Sequence, residues 1–226
     1  LVPQAFTLDD NYNQSLAQLG FVVVNFAYRG SGPWRGRDFH TFGYGNLRDY
    51  ALADDMAVVR QIAARYPCAD IERVGIYGHS GGGFMTVAAM LNHPEFYKVG
   101  VAASGNHDNN IYSQWWGETF HGVKQTWGKD GKPHFECHIP TNIELADRLT
   151  GRLLLITGDM DNNVHPASTA RLADALIRAR KRFDMTVIPG ADHGLGNSYY
   201  VNLIRYYFTE HLLGLPQQEI DIVKHN

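Results

Sequence analysis

At 226 residues and a formal net charge of -3, the chain is long enough for one large α/β core and lacks the positive excess that nucleic acid would attract. Its apolar runs fall short of the ~20 residues of a membrane span, and its two cysteines, Cys68 and Cys137, cannot build a disulfide framework. The densest basic run, Arg178, Arg180, Lys181 and Arg182, reads as the close of a helix, where cations oppose the negative end of the dipole.

In chain order, short apolar runs alternate with helical patterns, the sequence form of strand-helix-strand units and a mostly parallel sheet. The first buried strand is predicted over Phe21 to Phe26. Ala53, Met56, Val59, Ile62 and Ala63 then recur at helical spacing within Asp49 to Tyr66. A strand over Val74 to Tyr77 runs into a helix containing Phe84 to Leu91, and a third strand covers Val99 to Ala103. The stretch from Gly105 to Pro140, rich in Asn, His, Trp and Gly with poor periodicity, is expected to be an irregular excursion over the sheet edge; such insertions usually carry substrate contacts. Strands at Leu153 to Thr157 and Met185 to Ile188 alternate with helices at Ser168 to Arg182 and Ser198 to Leu213. The whole, residues 1–226, is expected to be one domain.

Between the second strand and its helix stands Gly78-His79-Ser80-Gly81-Gly82. A chain that turns at once from strand to helix strains its turn residue and crowds neighbouring backbone, and glycines two residues either side leave room. The serine hydroxyl is thereby lifted above the sheet edge. It is a poor nucleophile unless a base lies within hydrogen-bond reach and a third group orients that base. The loop after Leu153 to Thr157 offers Asp159 and Asp161; the loop after the next strand offers His193. Strand carboxyl ends share one edge of a parallel sheet, so these loops converge on Ser80. Spacing leaves Asp159 and Asp161 as alternatives. His165 sits in the Asp loop itself, with no separate group to orient it. His134, Cys137 and His138 lack the paired spacing of a structural zinc site, and Gly30-Ser31-Gly32 lacks the pattern of a phosphate cradle. No metal and no cofactor is expected.

Taken together, Tyr28-Arg29-Gly30-Ser31-Gly32, Gly78-His79-Ser80-Gly81-Gly82-Gly83, Gly158-x-x-Asp161-x-Asn163-Val164-His165 and Asp192-His193-Gly194 resemble the prolyl oligopeptidase family of serine peptidases, nearest its dipeptidyl peptidase IV branch. The resemblance runs from about Leu19 to Leu213. It implies an α/β-hydrolase fold, a mostly parallel sheet with helices on both faces, and an amino-terminal truncation that leaves out the first strands. It makes Ser80 the nucleophile, Asp161 the orienting acid, His193 the base and the Gly81 N–H an oxyanion donor. Tyr112 and Trp116 would line the primary specificity pocket, Val164 would form a smaller apolar wall, and Asn163 would hydrogen-bond a substrate carbonyl.

The implied partner is a peptide, with an upstream propeller in the parent protein supplying acidic residues for a free substrate amine. The sequence departs from the family in two places. Gly81 replaces a common Tyr and opens one side of the pocket, and Asn109 stands where a further pocket aromatic is usual. The second oxyanion donor would come from a loop upstream of Leu1. The expected activity is a dipeptidyl exopeptidase cutting after Pro or Ala. An acylaminoacyl peptidase or carboxylesterase, and a non-catalytic binding module on the same fold, are the alternatives. Homo-oligomerisation is left open. No signal peptide is visible, so the compartment is periplasmic or external if a leader lies upstream and cytoplasmic otherwise.

Overall fold

A computed structural model describes residues 13–196 and 198–215. The elements in order are α1 (Asn13–Gln18), α2 (Arg37–His40), α3 (Leu52–Arg65), β1 (Val74–His79), α4 (Gly81–Asn92), β2 (Tyr97–Ala103), α5 (Gln114–Phe120), β3 (Lys124–Trp127), β4 (Pro133–Glu136), β5 (Arg152–Gly158), α6 (Ala167–Arg178), β6 (Asp184–Ile188) and α7 (Ser198–Leu213). Four strands form one sheet in the order β1-β2-β5-β6, each neighbouring pair parallel.

The central strands β2 and β5 are buried on both faces because they are apolar at consecutive positions rather than alternate ones, whereas β1 and β6 are each fully buried at one residue only. Leu153 and Leu155 of β5 face one side with α3, α4 and α6, where Val87, Met90, Leu172 and Leu176 are buried. Leu154 and Ile156, offset by one residue, face the other with Val99 and Val101 of β2, meeting Leu16, Tyr200, Ile204 and Phe208 of α1 and α7. The period of two along a strand thus assigns each residue to one helical layer. Leu155 is fully buried, so truncation to Ala there is expected to cost about 2–5 kcal/mol.

The strand predicted over Phe21 to Phe26 is not formed. A strand exists only through its ladder, and among the described residues this apolar segment pairs with no strand. A cavity of about 400 Å³ is lined by Val22, Val24 and Phe26 of this segment, by Val74 and Ile76 of β1, and by Val59 and Phe208 from the helical layers.

The excursion predicted to be irregular contains α5 and a β3-β4 antiparallel hairpin. Its polar composition serves its own stitching. The Asn110 side chain donates to the Ile139 carbonyl and accepts from the Ile139 N–H, both at 2.9 Å. Asn142 Nδ2 donates to the Phe84 carbonyl at 2.8 Å, tying the returning limb to α4.

The basic run also differs from expectation. α6 ends at Arg178, and Arg180 takes a left-handed φ of 57°. The N–H groups of Arg180 and Lys181 donate back to the Ile177 and Leu176 carbonyls, a Schellman stop in which Arg occupies the position glycine favours. Only Arg178 therefore closes the helix.

Candidate active site

Ser80 sits between β1 and α4 with φ 57° and ψ -122°, the strained conformation the elbow demands. A Cβ on Gly78 would lie 2.4 Å from the Gly82 backbone, and one on Gly83 would lie 2.6 Å from the Ala103 carbonyl oxygen. Gly78 and Gly83 are therefore needed for close approach, whereas a Cβ on Gly82, the glycine expected from the motif, would meet nothing within 4 Å. The Ser80 N–H donates to the Ala103 carbonyl at 2.8 Å, fixing the turn to the end of β2.

The loops after β1, β5 and β6 converge as the parallel sheet requires. His193 Nε2 lies 3.0 Å from Ser80 Oγ, and His193 Nδ1 lies 2.8 Å from Asp161 Oδ2. The Asp161 carboxylate is fully buried, whereas the His193 ring stays 20% exposed. Burial of a carboxylate is costly unless its oxygens are satisfied. Here Asp161 Oδ1 accepts from the backbone N–H groups of Asn163 and Val164 at 3.0 and 2.9 Å, leaving Oδ2 for the imidazole. The arrangement can hold His193 with Nδ1 protonated and Nε2 free to take the Ser80 proton.

The two aspartates of the β5 loop are separated by their partners. Asp159 Oδ1 accepts from the Gly190 N–H at 2.6 Å, bracing the loop that carries His193, while Asp161 touches the ring itself. His165 is exposed and its Nδ1 accepts from the N–H of Ala167, the first residue of α6, at 3.2 Å.

Gly81 is the first residue of α4, where the N–H groups of a helix lack intrahelical partners. Tyr112 Oη donates to Asn163 Oδ1 at 2.6 Å, so the two residues are brought together and the Asn163 amide keeps its NH2 as a donor. Burial and the nearby Asp161 both raise the Tyr112 phenol above its ordinary value, which keeps it a donor. Trp116 packs on Tyr112 with ring centroids 5.7 Å apart and lines a separate cavity of about 200 Å³ with Tyr44, Tyr50 and Phe120. Val164 is 2% exposed. Asn109 is buried too, accepting from the Asn106 amide. Its side chain is thus engaged within the excursion.

Three contributors had no signal in the sequence. His79 and Ser104 both reach the His193 carbonyl, and Arg171 of α6 pairs with the buried Asp108 at 3.1 Å, anchoring the start of the excursion. Each contact joins distant positions without a spacing rule. Among the described residues, no group of three or more His, Cys, Asp or Glu is arranged to hold a metal ion. Both cysteines are free thiols.

A doubly covered parallel sheet bearing an elbow serine defines an α/β-hydrolase fold. The sequence model of the Prolyl oligopeptidase family matches residues 7–215, and the chain belongs to that family. Dipeptidyl peptidase 8 of Homo sapiens is 29% identical over 198 residues, covering 85% of this chain and 22% of that protein. The Mus musculus protein of the same name gives the same figures. The crystal structure of Porphyromonas gingivalis dipeptidyl peptidase 4 superposes with a TM-score of 0.70 at 25% identity, covering 81% of this chain and 26% of that one. The chain thus spans about a quarter or less of the length of these relatives.

Proposed function

We propose that this chain carries the catalytic residues of a dipeptidyl serine peptidase. The observation that carries the reading is the continuous path from Ser80 Oγ through His193 to the buried Asp161, at 3.0 and 2.8 Å. Ser80 Oγ attacks the scissile carbonyl carbon as its proton passes to His193 Nε2. The same Nε2–H then protonates the leaving amine, the C–N bond breaks, and an acyl ester remains on Ser80. Water gives its proton to His193 and attacks the ester; the proton returns to Ser80 and the acid is released. Asp161 fixes the tautomer throughout and stabilises the imidazolium. The Gly81 N–H serves the developing oxyanion.

Tyr112, with Trp116 packed against it, supplies apolar wall to the residue preceding the scissile bond, a slot suited to the flat proline ring or to alanine. Val164 adds a smaller apolar wall. The Asn163 NH2 donates to the penultimate substrate carbonyl. Exopeptidase selectivity calls for an acidic group near the substrate amine, which the family resemblance assigns to an upstream propeller. Relatives named dipeptidyl peptidases support the same substrate class.

The test uses the full-length protein and two chromogenic substrates, a dipeptidyl-proline nitroanilide with a free amine and its N-acetylated form. The free-amine substrate is expected to turn over and the blocked one not. Ser80→Ala is expected to lower kcat by at least about 10⁴-fold. Undiminished hydrolysis by Ser80→Ala would refute the assignment, and equal turnover of the blocked substrate would refute the dipeptidyl reading.

A further inference from the structure

His193 is held by its backbone as well as its ring. His79 Nε2 lies 2.5 Å from the His193 carbonyl oxygen, and Ser104 Oγ donates to the same oxygen at 3.3 Å. A carbonyl only accepts, so the His79 proton sits on Nε2. The two imidazole rings lie side by side, with centroids 4.7 Å apart and an interplanar angle of 55°. His79 ends β1 and directly precedes Ser80; Ser104 follows β2, fully buried, with a left-handed φ of 46°. A non-glycine residue in that region carries strain that its surroundings must sustain.

The sheet order explains why such holding is needed. Among the described residues β6 lies at one edge and β1 at the other, so the loop leaving β6 must cross the carboxyl ends of β5 and β2 to bring His193 over Ser80. Along that crossing it meets a succession of posts. After β5, the Gly190 N–H donates to Asp159, and the Met160 N–H donates to the Ala191 carbonyl at 3.0 Å. At the far end the posts are Ser104 and His79. The bonds to Asp161 and Ser80 orient the ring, but each uses a ring nitrogen and neither fixes the main chain beneath it.

Granting the catalytic reading of Ser80, Asp161 and His193, we propose that His79 is a positioning residue. Its Nε2–H bond to the His193 carbonyl, reinforced by Ser104, holds the base loop at proton-transfer distance from the nucleophile. A displacement of about 1 Å at a reacting group can cost on the order of 100-fold in rate, so a main-chain post has a kinetic effect without touching substrate. His79 suits the position for a second reason. Desolvation on burial lowers its proton affinity, which the neighbouring His193 lowers further, while the bond to the His193 carbonyl and the Asp161 charge oppose this. The net result is a neutral donor beside a ring that becomes charged in every turnover.

Two substitutions separate the donor from the ring. His79→Phe keeps an aromatic body and removes the N–H; His79→Gln keeps an amide N–H at similar reach and removes the ring. In the full-length protein, His79→Phe is expected to lower kcat on the dipeptidyl nitroanilide about 10-fold, with KM within about twofold of wild type. His79→Gln is expected to recover to within about threefold of wild-type kcat. Ser104→Ala is expected to lower kcat by a few fold and to deepen the His79→Phe defect. Melting temperatures are measured for all variants. Wild-type kcat in His79→Phe would overturn the proposal. So would a His79→Gln defect equal to that of His79→Phe, or kcat losses that merely track melting temperature. Ser80→Ala run alongside distinguishes the two levels: its inactivity with an unaffected His79→Phe rejects the positioning role alone, whereas its full activity rejects the triad and the positioning role with it.

Discussion

At the scale of single residues, the choice between Asp159 and Asp161 rests on partners, since both leave the same strand. Asp161 accepts from His193 Nδ1 and Asp159 from the Gly190 N–H. Asp161→Asn is accordingly expected to lower kcat by roughly 10⁴-fold, because an amide at that place stabilises the wrong tautomer. Asp159→Asn retains a carbonyl acceptor and is expected to lose less than about tenfold. Steady-state kinetics of the pair decides between them, and equal losses would contradict the separation. From sequence, the two carboxylates were distinguishable only through a family resemblance. The physical discriminator, a main-chain N–H arriving from the next loop, has no local signature. Ser80 was legible for the opposite reason: its signal is the pentapeptide Gly78 to Gly82, although the close approach on the helix side falls on Gly83 and not Gly82. His79 lies inside that same pentapeptide, yet its role depends on a carbonyl 114 positions away.

At the scale of elements, the excursion that supplies Tyr112 is fastened by a buried polar cluster. His107 is completely buried; its backbone carbonyl accepts from the Asn142 N–H at 3.1 Å, and its Nδ1 lies 3.1 Å from Asn142 Nδ2. Burial pushes its proton affinity down to about 3, whereas in the unfolded chain it returns to about 6.5. Between those values the unfolded chain binds a proton that the native state excludes, so stability falls as pH drops below about 6.5 and levels off near 3. At pH 5 the loss attributable to this group is about 2 kcal/mol. His107→Gln removes the titrating group. Urea unfolding at pH 7 and pH 5 is expected to show a smaller pH-dependent loss in the variant by about that amount; identical losses would contradict the assignment. Composition marked this stretch as separate from the sheet but gave no warning of α5 or the hairpin. Both are short, and their side chains bond within the excursion, so neither carries the long apolar period by which elements are read.

At the scale of the whole molecule, the four parallel strands explain why residues from three distant loops meet at one edge. Four of the five predicted strands form, and the exception is instructive. Phe21 to Phe26 has strand composition, but composition expresses fit to a pleated, half-buried surface and not pairing itself. β1 has a strand neighbour on one side only among the described residues, and residues of β1 and of the unpaired segment together line a cavity of about 400 Å³. In this 226-residue chain the amides of Val22, Val23 and Val24 are expected to exchange with solvent far faster than those of Leu154 and Leu155 in β5. Hydrogen exchange read by mass spectrometry measures this directly, and equal protection would mean that a ladder forms there after all.

The relation of Ser80 to His193 and Asp161 carries the functional account, and covalent trapping of the nucleophile tests it most directly. With the full-length protein and a fluorophosphonate probe, peptide mapping is expected to find one label, on Ser80, absent in Ser80→Ala and formed much more slowly in His193→Gln. A label on another serine, or labelling that persists unchanged in Ser80→Ala, would contradict it.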